Sequence, residues 1–243
     1  MLSKSTIKDI QSLQQKKFRD EQGLFVAEGP KLVDELLKDK IFVCERIYAL
    51  PEWRSSLNLI DEKTEIIKDF ELEKISGLVK PNMVVAIFQK KAPVTVLKTS
   101  GLITLVLDDI QDPGNLGTII RTADWFGIEN IICSEATADM YNPKVVQSTM
   151  ASLGRANVLY VNLEQWLQEH KSIKILAAVL EGKPLSSFKH IKEAFIIIGN
   201  ESKGISKTLL DMADKKISIQ KHGKAESLNA GVAAGIILQQ LIG

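Results

Sequence analysis

From Leu102 onward the chain alternates short apolar runs with amphipathic stretches, a cadence that leaves little freedom of architecture. Strand-like runs fall at Leu102 to Leu107, Asn130 to Cys133, Asn157 to Val161, Ile173 to Val179, Ala194 to Ile198 and Lys216 to Ile219. Helix-like segments cover Thr118 to Phe126, Lys144 to Ser152, Leu163 to His170 and Lys207 to Ala213, and a last helix runs from Leu228. Strands joined through helices can pair in parallel, because each crossover covers a face of the sheet. The pattern therefore predicts an α/β fold with a mostly parallel sheet covered on both sides. Ligands of such sheets bind in loops beyond the strands, so polar and glycine-rich loops there are the first place to look for a site.

The first hundred residues carry a second, smaller α/β pattern. Leu24 to Ala27 reads as a strand, Glu28-Gly29 as a turn and Lys31 to Leu37 as a helix, with Pro30 in a first turn that needs no N–H from it. Ile41 to Tyr48 and Met83 to Phe88 read as further strands, separated in part by the charged segment Asp61 to Lys74. Lys90 to Gly101, with proline, small residues and charge, reads as a linker and sets a domain boundary near residue 98. Ahead of these, Ile7, Ile10 and Leu13 mark one amphipathic helix. Its Lys4, Lys8, Lys16, Lys17 and Arg19 form either a solvated face or a basic arm for phosphates.

The formal net charge is only +1, so any nucleic-acid surface has to be a local patch. Cys44 and Cys133 lack paired spacing, and His170, His190 and His222 form no ligand cluster, so neither disulfide nor metal is expected. The polar N-terminus has no apolar leader, and the run Ala230 to Leu238 is too short to span a bilayer. The expectation is a cytoplasmic protein.

Three loops concentrate the chemistry. Asp108 to Asn115 leaves a strand, turns at Pro113-Gly114 and enters a helix bearing Arg121, with Asn115 and Thr118 as candidate caps. Arg121 is either a surface cation or a planar fork of donors for a phosphate or developing oxyanion. In the second loop, Gly199-Asn-Glu-Ser-Lys-Gly204, glycines at both ends permit close backbone approach. No Lys-Ser/Thr pair follows to hold phosphate and magnesium, and Glu201 would repel an anion, so a neutral or cationic ligand fits better. The third loop, Lys221 to Asn229, precedes a helix dense in Ala230, Gly231, Ala233, Ala234 and Gly235. Ser227 is its candidate N-cap, and the small residues ask for a close neighbour, either another element or a second subunit.

Taken in order, Asn115-Leu-Gly-Thr-Ile-Ile-Arg121, Gly199-Asn-Glu-Ser-Lys-Gly204 and Ser227-Leu-Asn229 resemble the three motifs of SpoU/TrmH-type RNA ribose 2′-O-methyltransferases of the SPOUT superfamily, over residues 102–243. Phe25-Val-Ala-Glu-Gly29 and Pro81-Asn-Met-Val-Val-Ala86 are similar to the small L30e-like substrate-binding domain often fused to them. The resemblance implies residues 1–98 as an RNA substrate-binding domain and residues 99–243 as an α/β trefoil-knot methyltransferase domain. It also implies S-adenosylmethionine bound in the knotted region, a homodimer with its interface beside the cofactor sites, and an RNA substrate, with ribosomal RNA favoured over transfer RNA.

Carried over by position, Asn115, Arg121, Glu201, Ser227 and Asn229 take the catalytic places. Gly199, Asn200, Gly204, Ile219 and Leu228 take the cofactor places, with Val179, Leu180 and Glu181 as a further wall of the adenosine pocket. The family mechanism assigns proton removal to the first-motif arginine, here Arg121, with an RNA phosphate assisting. The strong basicity of a guanidinium opposes this, which leaves two roles open: base, or cation that aligns phosphate and stabilises an alkoxide. One departure stands out: Ile219-Gln220-Lys221 replaces the usual Ile-Pro-Met, so Lys221 either alters the pocket rim or adds a phosphate contact. Two rivals are weighed. A catalytically inactive RNA-binding protein of this fold is disfavoured by the intact polar set, and a dinucleotide oxidoreductase by the lack of Gly-x-Gly-x-x-Gly after a first strand.

Overall fold

The computed structural model describes residues 1–53, 62–92, 94, 97–188 and 190–242. Along the chain run α1 (Lys4–Ser12), α2 (Lys16–Gln22), β1 (Leu24–Glu28), α3 (Pro30–Asp39), β2 (Cys44–Ala49), β3 (Thr64–Ile66), α4 (Asp69–Ile75) and β4 (Val84–Gln89). There follow β5 (Ile103–Asp108), α5 (Pro113–Trp125), β6 (Asn130–Ser134), α6 (Pro143–Thr149), β7 (Asn157–Val161), α7 (Leu163–Glu169) and β8 (Ile175–Pro184). The chain closes with β9 (Ala194–Gly199), α8 (Lys207–Met212), β10 (Lys215–Ser218) and α9 (Ala230–Ile242). Two compact units form: residues 1–92 with 139–154, and residues 93–138 with 155–243. Part of the expected linker, at 93, 95 and 96, lies outside the described residues, as does Asp61.

The first unit holds a four-stranded sheet in the order β1-β4-β2-β3, antiparallel except for the β2/β3 pair. Its amphipathic N-terminus is two helices rather than one, because Gln15 is extended. Arg19, read from sequence as part of a charged face or arm, is instead 1% exposed. Its guanidinium donates to the carbonyls of Leu13 and Gln14, both at 2.9 Å, and to Asp139 Oδ2 at 2.6 Å. A buried guanidinium needs such partners, and here they hold the break between α1 and α2. Phe25, Phe42 and Tyr141 then form a ring cluster, with both Phe42 and Tyr141 centroids 5.0 Å from that of Phe25. The 139–154 excursion is thereby part of this unit's core. β3 and α4 fall in the segment read only as charged: β3 is too short to show a pattern, and α4 buries just Leu72 and Ile75 as apolar residues.

The second unit is a six-stranded sheet, entirely parallel, in the order β10-β8-β9-β5-β6-β7. Every residue of β5 is buried, as expected for a central strand covered on both faces. Val106, Ile132, Trp166, Leu167, Phe195 and Ile197 belong to its core on one side. Buried Cys133 is a free thiol whose pKa burial pushes up, which makes it inert. No helix among the described residues is long and apolar enough to cross a membrane.

Three local features differ from expectation and bear on the site. α5 begins at Pro113, inside the stretch read as a turn, because Asp112 accepts the Asn115 N–H at 2.9 Å and proline suits the first turn. Asp112 therefore caps the helix, in place of Asn115 or Thr118. α9 begins at Ala230, and Asn229 is its cap, its Oδ1 accepting the N–H groups of Gly231 and Val232 at 3.0 and 3.2 Å. Ser227 lies before the cap. β8 also runs on to Pro184, and its pairing with β10 jumps from Ala177↔Lys216 to Lys183↔Ile217. Residues 178–182 thus have no register partner in β10.

Candidate active site

At the carboxyl ends of β9 and β10 opens a cleft of about 1080 Å³. One wall is the unpaired stretch of β8, Ala178 to Glu181. A second is the loop after β9, and a third is the segment from Ile219 through Leu228 that leads into α9. Apolar groups from Val179, Leu180, Ile198, Ile219, Leu228 and Ile237 meet backbone and polar groups there. Apolar walls with a few convergent polar groups are what a small organic ligand needs.

The β9 loop is shaped by its own hydrogen bonds. Asn200 and Gly204 exchange backbone bonds at 3.0 and 2.9 Å, and the Asn200 side chain accepts the N–H groups of Ser202 and Lys203 at 2.9 and 3.0 Å. Asn200 Nδ2 also donates to the carbonyl of Asp109 at 2.8 Å, so the loop is pinned to the end of the neighbouring strand β5. A Cβ on Gly199 would lie 2.4 Å from the carbonyl carbon of Gly204 and the nitrogen of Ile205, which no relaxation of a flexible side chain can relieve. Gly199 is required for the loop to close on itself, and Gly204 for a left-handed turn with φ of +69°.

A chain of amides runs along the edge of this loop. Asn229, fixed at the N-terminus of α9, donates through Nδ2 to Asn115 Oδ1 at 2.7 Å. Asn115 Nδ2 in turn donates to Glu201 Oε1. The cap fixes which end of the Asn229 amide donates, and that fixes Asn115 with its donor toward the carboxylate. Residues 86 and 114 positions from Asn115 are thereby brought together. The helices behind them pack tightly: a Cβ on Gly231 would come 2.7 Å from the Thr118 methyl, which explains the glycine at that position of α9.

The sequence-predicted residues fall into three groups. Val179, Leu180, Glu181, Gly199, Asn200, Gly204, Ile219 and Leu228 all line the cleft, together with Glu201 and Ser227. Asn115 and Asn229 join the cleft through Glu201. Arg121 stands apart: it is exposed on α5, does not line the cleft, and its side chain makes no hydrogen bond or ion pair among the described residues. Sequence reasoning missed Ala178, Ile198, Ile205, Leu210 and Ile237, apolar lining that looks like ordinary core in a linear pattern, and Lys203 and Lys216 at the rim. Among the described residues no group of three or more His, Cys, Asp or Glu side chains is arranged to hold a metal ion.

Residues 102–239 match the SpoU rRNA Methylase family, and residues 4–86 match the MRM3-like substrate binding domain. The chain is 31% identical over 250 residues to the 23S rRNA (guanosine(2553)-2′-O)-methyltransferase RlmP of Bacillus subtilis, a match covering 98% of this chain and 96% of that one. The AdoMet-bound rRNA methyltransferase from Sinorhizobium meliloti superposes with a TM-score of 0.86 at 30% identity, covering 99% of this chain and 95% of that one. The SpoU methyltransferase AviRb from Streptomyces viridochromogenes, in complex with AdoMet, shares the fold, with a TM-score of 0.85 at 23% identity over 99% of this chain and 97% of that one.

A parallel sheet with a glycine-closed loop, an apolar cleft at its strand ends and an Asn-Asn-Glu chain beside it defines a methyltransferase of the SPOUT α/β class. The chain belongs to the SpoU rRNA methylase family, whose members act as S-adenosylmethionine-dependent RNA 2′-O-methyltransferases.

Proposed function

We propose that this protein methylates a ribose 2′-hydroxyl in large-subunit ribosomal RNA, using the β9/β10 cleft for S-adenosylmethionine. The relative from Bacillus subtilis, aligned over nearly the whole of both chains, supports the substrate class. The observation that carries the site is the Asn229–Asn115–Glu201 chain, which ends on a carboxylate lining the cleft.

The cleft fits the cofactor. Val179, Leu180, Ile219 and Leu228 offer apolar contact to an adenosine, and the backbone of the Gly199–Gly204 loop offers close polar contact. When bound, S-adenosylmethionine supplies a methyl group on a positively charged sulfur. Glu201, which accepts from Asn115 Nδ2, places a carboxylate that favours positive charge in the cleft. Ser227 offers a hydroxyl at the same lining. The ribose 2′-hydroxyl passes its proton to an RNA phosphate or to water as its oxygen takes the methyl group, and Arg121 serves as the cation that aligns the phosphate and stabilises the forming alkoxide. A guanidinium's fork of donors is suited to that role.

Arg121 is exposed and outside its own chain's cleft, and this supports a homodimer in which it reaches the site of a second copy. Trp125, 85% exposed on α5, and Val232 and Ile236, 51% and 41% exposed on α9, supply an apolar surface for that contact. The N-terminal 98 residues hold the RNA in this reading, in keeping with the substrate-binding match over residues 4–86. The test is transfer of labelled methyl to purified ribosomal RNA, followed by mapping of the blocked 2′ position. Label in large-subunit RNA at one ribose is the expected result; label only in transfer RNA, or in no RNA, contradicts it.

A further inference from the structure

The segment from Lys215 to Lys224 carries Lys215, Lys216, Lys221 and Lys224 with His222 and no carboxylate, in a chain whose net charge is only +1. All five side chains are exposed. None of the four lysines has a hydrogen-bond or ion-pair partner among the described residues. Lys183, also exposed, sits in register beside Ile217 and extends the same edge. Lysines on an outer strand commonly serve to block edge-to-edge pairing, and β10 is the outer strand of its sheet. That explanation covers Lys215 and Lys216. It does not reach Lys221, His222 and Lys224, which lie beyond the end of β10 in the segment leading to α9.

The placement of these cations relative to the cleft is what gives them meaning. Lys216, Lys221 and His222 line it from one side, and Lys203, on the β9 loop, lines it from another. Lys221 is also the residue at which the chain departs from the Ile-Pro-Met pattern. Glu181, Glu201 and Glu226 also line the cleft, so the uncompensated positive field lies on the Lys215–Lys224 edge beside its mouth, where a polyanion would pass.

We propose that the Lys215–Lys224 edge, with Lys221 and Lys224 at its centre, is a phosphate-tracking surface that leads the substrate RNA strand across the mouth of the cofactor cleft. The occupant is RNA backbone rather than the cofactor's own carboxylate, because Lys224 and Lys215 lie outside the cleft lining while sharing the same uncompensated charge. The inference rests on the RNA-methyltransferase reading and adds a binding element to it. Contacts of this type read no base and act through counterion release, so their signature is salt dependence.

The experiment measures equilibrium binding of a large-subunit ribosomal RNA transcript against salt concentration, without cofactor, for the wild type and for Lys221→Gln/Lys224→Gln. The double variant should weaken RNA binding on the order of tenfold near physiological salt, and flatten the salt slope by about 0.7–0.9 for each lysine removed. Lys221→Arg/Lys224→Arg should restore both, and the single variant Lys224→Gln, outside the cleft lining, should weaken RNA binding in the same sense with cofactor affinity unchanged. An unchanged RNA affinity and slope would overturn the proposal. So would a loss of S-adenosylmethionine affinity with RNA binding intact, which would assign the lysines to the cofactor. Because binding is read without turnover, a wild type that binds RNA with this salt signature but transfers no methyl group would fail the proposed function alone.

Discussion

Two clefts open at the carboxyl ends of one parallel sheet, and their contents differ in kind. The larger, at β9 and β10, has apolar walls, a backbone loop, three carboxylates (Glu181, Glu201 and Glu226) and a rim of lysines. The smaller, about 280 Å³ at the ends of β5, β6 and β7, is lined by Asp108, Asp109, Ser134, Glu135, Asn162 and Glu164 among others. Asp108, Asp109, Ser134 and Ser206 in its lining are committed to one another. Asp109 N–H donates to Ser134 Oγ at 2.9 Å, Ser134 Oγ donates to Asp109 Oδ1 at 2.7 Å, and Ser206 N–H donates to Asp108 Oδ2 at 2.7 Å. Strand ends alone therefore do not make a site. Where polar groups saturate each other they brace loops, and where glycines, apolar walls and unspent charge converge a ligand has room and reason to bind.

The contrast can be broken most severely at Gly199. Gly199→Ala drives a Cβ into backbone 2.4 Å away and should cost at least about 1–3 kcal/mol of stability, with cofactor binding lost in calorimetric titration. Next comes Asn115→Asp, which sets a carboxylate against Glu201 and breaks the amide chain. About 1–3 kcal/mol of the site's organisation should go, read as a fall in single-turnover methyl transfer larger than any fall in melting temperature. Gly231→Ala should destabilise by about 1 kcal/mol through the Thr118 methyl. Thr118→Ser in the same chain removes that methyl, keeps the hydroxyl that donates to the Gly114 carbonyl, and should recover the loss in thermal melts. The mildest change belongs to the small cleft. Ser134→Ala should cost about 1 kcal/mol of stability and leave S-adenosylmethionine affinity unchanged, and a weakened affinity there would erase the distinction between the clefts.

Much of the catalytic unit is legible in sequence because a parallel sheet buried on both faces writes itself as continuous apolar runs, as β5 and β9 do. The boundaries of α5 and α9 are less legible. Pro113-Gly114 has turn composition, yet Asp112 converts it into a first helical turn, and Ser227 has cap chemistry, yet Asn229 holds the N–H groups. Local chemistry proposes several caps and tertiary placement selects one. Gly199 shows a similar limit: a glycine suited to ligand approach is required first by the loop's own backbone. The burial of Arg19 has no signature in the linear pattern, since its partner Asp139 lies 120 positions away.

The proposed division of labour between cleft and helix, with the cofactor in the β9/β10 cleft and the ribose acted on from α5, is tested most directly at Arg121. The measurement pairs S-adenosylmethionine titration with single-turnover methyl transfer to ribosomal RNA for Arg121→Ala. Because Arg121 is exposed and lines no part of its own cleft, cofactor affinity should be retained while transfer falls on the order of 10²–10³-fold. Full transfer in the variant, or loss of cofactor binding alongside transfer, would contradict the account.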